Sequence, residues 1–193
     1  MDLNSHTALS KAEIQHVQSI TNTGELYYDY DPLIEKARNY AFYICRKFNQ
    51  NPTEQKQLLV DLLGEVGQNV VINPGFITEF GFNTHIEDDV VIGDDLKMID
   101  CNVVKISKHA TIGNQVGIYT SNHALDPQKR ADHWCSEKPI TIANNVVIED
   151  DVCILGGVTI GENTIVKQGS IVIHDLPANT IAQGVPCEVV QKL

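Results

Sequence analysis

A six-residue period constrains this chain more than any other feature of its 193 residues. Ile86-Glu-Asp-Asp-Val-Val runs into Ile92-Gly-Asp-Asp-Leu-Lys, and Ile106-Ser-Lys-His-Ala-Thr into Ile112-Gly-Asn-Gln-Val-Gly. The pattern resumes with copies that start at Ile142, Ile148, Ile154, Ile160 and Val166. Each copy carries an aliphatic residue first and usually a small or β-branched residue fifth, with polar residues between. An amphipathic helix does not tolerate a period of six with polar corners. A short strand followed by a tight turn does, because the first position then points inward on every pass. Three such units close one triangular coil, and successive coils bury one another's aliphatics, so the expectation is a parallel β-helix. The β-branched side chains suit the pleated surface of its strands.

The N-terminal part reads differently. Leu33, Ile34, Ala37, Tyr40, Ala41 and Ile44 recur at spacings of three and four, the mark of one buried helical stripe. Asp31-Pro32 supplies a cap and a first-turn proline. Asn51-Pro52-Thr53-Glu54 separates this helix from a second one, with Leu58, Leu59, Leu62 and Leu63 on its apolar face. Before Asn22 the sequence leaves two readings, a helix beginning near Ser10 or a loose tail. The expected organisation is mainly β: a helical cap over 1–70 and a β-helix over 71–193, interrupted by an excursion at 119–139.

Charge narrows the partners. Fourteen Lys and Arg stand against 25 Asp and Glu, a formal charge of -11 that disfavours nucleic acid and anionic membrane. No apolar run reaches transmembrane length, and the first residues lack the basic and apolar regions of a signal peptide, so a cytoplasmic location is expected. Five widely spaced cysteines without a CxxC pair suggest neither a disulfide framework nor a zinc site, and they read as small buried residues. His85, His109 and His123 lack the paired spacing of a metal site, and no metal is expected.

The excursion concentrates chemistry: it holds His123, His133, Arg130 and Trp134, the one tryptophan of the chain. An interruption of this size in a regular solenoid is where binding and catalysis are usually built. From Gly24 onward the chain resembles the maltose, galactoside and nodulation-factor O-acetyltransferases of the hexapeptide-repeat superfamily. The likeness rests on Gly24-Glu-Leu-Tyr-Tyr-Asp-Tyr-Asp-Pro32, Tyr119-Thr-Ser-Asn-His123 with Leu125-Asp126, and Lys138-Pro-Ile-Thr-Ile142. It continues in Gly157-Val-Thr-Ile-Gly161, Asp175-Leu-Pro-Ala-Asn179 and Gly184-Val-Pro186.

The resemblance implies a left-handed β-helix assembled as a homotrimer, with acetyl-CoA lying along adjoining coils and a sugar-like acceptor beneath the cap and loop. It places His123 on the family's catalytic histidine. An imidazole there would take the proton of the acceptor hydroxyl as it attacks the thioester directly, without an acyl-enzyme. Asp29 and Asp100 match acceptor-side aspartates; the residues alone read equally as a turn cap and a coil corner. Asp150, Gln168, Ile173 and His174 fall at coenzyme-contact positions. Glu149, Glu188 and Gln191 stand where the pattern has other residues, including the arginines that meet coenzyme phosphates, with Lys167 and Lys192 as the nearby bases. That leaves open a second expectation, a catalytically silent trimeric β-helix scaffold or binding protein.

Overall fold

The computed structural model describes residues 7–52 and 56–193. The segment left undecided by the sequence is a helix, α1 (Lys11–Thr21). The Ser10 hydroxyl accepts from the Glu13 amide while the Glu13 carboxylate accepts from the Ser10 amide, a reciprocal capping box. Asp31 caps α2 (Pro32–Gln50) by accepting from the Leu33 amide at 2.7 Å, and Pro32 occupies its first turn. Helix α3 (Lys56–Leu62) buries Leu59 and Leu62. Thr53 and Glu54 of the expected boundary lie outside the described residues.

The remainder winds as a β-helix whose three faces are parallel ladders. Ile86, Ile106, Ile142 and Ile160 stack in register on one face. Ile72, Ile92, Ile112, Ile148, Val166 and Ala182 stack on the second. Thr78, Met98, Ile118, Ile154 and Val172 form the third column. Every repeat-initial residue from Ile86 to Val166 named above is buried, as are the fifth-position residues Val90, Leu96, Ala110, Val116, Val146, Val152 and Val158. Each such aliphatic contributes about 1.5–3 kcal/mol on burial, which makes the stacked columns the dominant source of cohesion. The ladder begins at Glu65–Val66, paired with Thr84–Ile86, so the first coil starts inside the segment assigned to the cap.

Two of the three corners are regular. One places Asn69, Asp89, His109, Asn145, Asn163 and Asn179 in the left-handed region, and the other Gly75, Asp95, Gln115, Asp151 and Gly169. Asn and Asp tolerate that conformation better than most side chains. At the first corner the amides also form a ladder from Asn145 to Asn163 to Asn179. The third corner is irregular, and there the cap packs and the excursion leaves. A second apolar cluster joins Val17, Tyr27, Ile34 and Ala37 of the cap region to Phe80, Cys101 and Cys135.

Asp100 organises this third corner. Its Oδ1 accepts from the Thr78 hydroxyl at 2.6 Å and from the Glu79 and Phe80 amides at 3.1 and 2.8 Å. Its Oδ2 accepts from the Gly81 amide at 2.8 Å and the Thr84 hydroxyl at 2.9 Å. The carboxylate is fully buried and both oxygens are committed to the turn at 78–84. The resemblance puts Asp100 near the acceptor; in the structure its oxygens hold the turn that carries Glu79. Removing it strands buried amides, at about 1–3 kcal/mol each. Asp100→Ala is expected to lower stability by about 3 kcal/mol or more and the melting temperature by roughly 6–12 °C, measured by thermal denaturation.

Candidate active site

The excursion folds as a hairpin. Ser121–His123 and Trp134–Glu137 pair antiparallel, joined through the short helix α4 (Pro127–Ala131). Asp126 caps that helix by accepting from the Lys129 amide at 2.8 Å, and Pro127 takes its first turn. Tyr27–Tyr28 of the cap adds a third strand to the hairpin. In this register Tyr27 lies opposite Cys135, and Cys135 opposite His123. One strand pairing thus brings residues nearly a hundred positions apart onto one small sheet.

His123 is exposed, and its Nδ1 lies 3.4 Å from the Cys135 Sγ. It stands in the wall between two cavities. The larger, about 530 Å³, is bordered by Leu26, Leu125, Leu155, Gly156 and Ile173, with Lys129 and Lys138 at its sides. The smaller, about 290 Å³, is bordered by Tyr27, Asp29, Arg38, Glu79, Cys101 and Cys135. Ser121 and Asn122 border both. Arg38 donates to Glu79 at 2.6 Å and to both Asp29 oxygens at 3.1 and 3.2 Å. Burial works against the Arg38 charge, yet the neighbouring Glu79 and Asp29 carboxylates hold its pKa above the usual value. The larger cavity thus joins an apolar wall to Lys129, Lys138 and Asp126, and the smaller gathers two carboxylates and an arginine.

The maltose acetyltransferase hexapeptide capping motif matches residues 22–67. The galactoside O-acetyltransferase of Lactococcus lactis is 33% identical over 89% of this chain and 86% of its own length. The Escherichia coli galactoside O-acetyltransferase is 31% identical, over 88% and 86% respectively. A hexapeptide-repeat acetyltransferase from Vibrio cholerae, solved with acetyl-CoA, superposes with a TM-score of 0.85 at 30% identity, covering 96% of this chain and 99% of the other. The chain belongs to the maltose and galactoside O-acetyltransferase family.

For this acetyltransferase the site residues expected from sequence divide by place. His123, Asp29 and Ile173 border the paired cavities. Asp150 and Gln168 sit at the corner that joins the second and third columns: the Asp150 Oδ1 accepts from the Asn114 amide at 2.7 Å, and the Gln168 amide donates to Glu149 at 3.0 Å. His174 follows Ile173 but does not line the cavity with it. Lys167 is engaged by an ion pair with Glu149, so the cations beside His123 are Lys129 and Lys138 instead. Among the described residues no three His, Cys, Asp or Glu groups lie together as a metal set. No helix there is long and apolar enough to cross a membrane.

Arg38, Glu79, Tyr27, Cys135 and Glu137 were not singled out as site residues in the sequence. Arg38 alone carries a local signal, a charge flanking the buried Ile34 and Ala37 stripe of α2. Glu137 carries none, although it is completely buried beneath the hairpin. Its Oε1 accepts from the Tyr27 hydroxyl at 2.8 Å and from the Ser121 hydroxyl at 3.0 Å, tying cap to loop, while Oε2 has no hydrogen-bond partner. Burial outweighs both donors and pushes its pKa up from 4.5 to about 7.

The folded chain therefore keeps a proton that the unfolded chain has lost between these two values. The associated stability is full below pH 4.5 and falls by up to about 3 kcal/mol as pH rises through 7. Glu137→Gln removes this titration while keeping shape and the accepting oxygen. Its melting temperature is expected to match the parent at about pH 4 and to exceed it at pH 8 by roughly 6 °C or more.

Proposed function

We propose that this chain transfers an acetyl group from acetyl-CoA to a hydroxyl of a sugar-like acceptor, with His123 as the general base. The observation that supports this most directly is the position of His123 in the wall between two cavities bordered by different charged groups. The acceptor hydroxyl would enter from the side of Asp29, Arg38 and Glu79, whose fixed charges suit the many hydroxyls of a sugar. The thioester end of the coenzyme would enter along Leu155, Gly156 and Ile173, with Lys129 and Lys138 as its cationic flank. With Nδ1 turned to Cys135, the Nε2 atom remains for the acceptor. It takes the proton as the hydroxyl oxygen attacks the thioester carbonyl, and collapse of the tetrahedral species releases the coenzyme thiolate. No acyl-enzyme is needed.

Asp150, Gln168 and His174 are assigned to the rest of the coenzyme, along outer coils that a homotrimer would bring against a neighbouring subunit. Apolar residues turned outward from the coils, Val71, Ile77 and Val91 among them, favour such an assembly because a monomer would leave them in water. The vibrio relative binds acetyl-CoA in its crystal structure, and the two bacterial relatives are galactoside acetyltransferases. The proposed location is the cytoplasm, where five unpaired cysteines stay reduced.

The test is release of coenzyme thiol from acetyl-CoA with a panel of maltose, glucose, galactosides and chitin fragments. His123→Ala is expected to lower kcat by about 10² to 10⁴ while leaving acetyl-CoA affinity, read by calorimetry, unchanged. No release with any acceptor, together with no coenzyme binding, would replace the enzyme by a scaffold. Asp29→Ala is expected to raise the KM of the acceptor about tenfold without changing that of acetyl-CoA, because a charge-assisted contact is lost on one side only.

A further inference from the structure

We propose that Cys135 is a positioning residue: its sulfur accepts the Nδ1 proton of His123 and so selects the tautomer whose Nε2 can act as base. The inference rests on the reading of His123 as the base.

A neutral imidazole carries one proton, and the nitrogen that holds it cannot take another from the acceptor. What fixes the tautomer is the partner of the other nitrogen. In this site that partner is the Cys135 sulfur, 3.4 Å from Nδ1. A thiol can accept or donate, and the two choices give opposite results. If the thiol donated to Nδ1, the ring proton would sit on Nε2 and the base would be blocked. The structure supplies another acceptor for the thiol hydrogen, the His133 carbonyl oxygen 3.9 Å from Sγ. With the hydrogen directed there, the sulfur lone pair faces Nδ1–H, and the order of donation runs from imidazole to sulfur to carbonyl.

The placement is rigid. Cys135 lies in the middle strand of the small sheet, with Tyr27 on one side and His123 on the other, and is 3% exposed. Burial, reinforced by Asp29, Glu137 and Glu79 against the opposing charge of Arg38, pushes the thiol up to about 11, so the sulfur stays uncharged at neutral pH. A neutral acceptor orients the ring without adding a third anion to a pocket that already holds Asp29 and Glu79. This distinguishes Cys135 from the other four cysteines, none of which approaches His123 within hydrogen-bonding distance.

The experiment is nitrogen NMR of the full chain with ¹⁵N-labelled histidine, the His123 signals assigned by their loss in His123→Gln. In the parent protein at high pH, Nδ1 is expected to show the protonated shift and Nε2 the unprotonated one. Cys135→Ala should move His123 toward the opposite tautomer and lower kcat about tenfold or more, with both KM values unchanged, in the manner of other wrong-tautomer variants. Cys135→Ser, which restores an accepting atom, should recover the tautomer and part of kcat.

A protonated Nε2 in the parent would overturn the proposal even if Cys135→Ala failed to fold. An Ala variant with unchanged tautomer and kcat would overturn it equally. Absence of acetyl transfer by the parent with every acceptor would count against His123 as base, whereas the nitrogen shifts would still decide what Cys135 does.

Discussion

A six-residue coil cannot bury its own aliphatic positions, so each turn of this molecule depends on the turns above and below it. The Ile columns exist only as stacks, and the stack is stable only while every corner returns the chain in register. At two corners the return is made by Asn, Asp, Gln, His and Gly residues in the left-handed region. At the third it is made by buried polar side chains, Asp100 foremost. That corner is where the cap and the excursion attach. The same carboxylate that closes a coil also sets the turn bearing Glu79, so the integrity of the solenoid and the shape of the smaller cavity share one cause.

The small three-stranded sheet is the second organising device. It takes one strand from the cap and two from the excursion, and alternation along each strand puts its side chains to different uses. Tyr27, Cys135 and His123 align across it, and one step of two residues away Ser121 and Glu137 form the next rung. Hydrogen bonds from Tyr27 and Ser121 converge on Glu137, so cap and loop are joined through a buried acid. Lys129 and Lys138, which border the larger cavity, both come from the excursion.

Much of the fold was legible from periodicity, because the buried position recurs at fixed spacing and its chemistry shows in each copy. Ile86, Ile92, Ile106, Ile142 and Val166 all fell into the core for that reason. The helix α1 was undecided in the sequence because its buried face is small, with Val17 and Thr21 as its buried residues, and the Ser10 cap competes with a tail reading. His123 was legible because it sits in the break of a repeat within a recognisable motif. Arg38, Glu79, Cys135 and Glu137 were not, because the contacts each makes depend on how the cap, the coil turn and the hairpin pack together. A lone cysteine next to Ser136 and Glu137 gives no local sign that its sulfur will meet an imidazole.

The sequence by itself determined the coil architecture, the helical cap and the place where the repeat is broken, since all three follow from local periods and local caps. It also determined the family, through motifs whose order is preserved along the chain. Only the tertiary structure decided which polar residues face one another. Asp29 met Arg38 rather than serving as a cap, Asp100 turned inward to hold a coil, and Asp150 and Gln168 took hydrogen-bond partners at another corner. The physical reason is that burial patterns repeat with the backbone, whereas hydrogen bonds and ion pairs depend on register between segments up to 110 residues apart, as in the Tyr27–Glu137 contact.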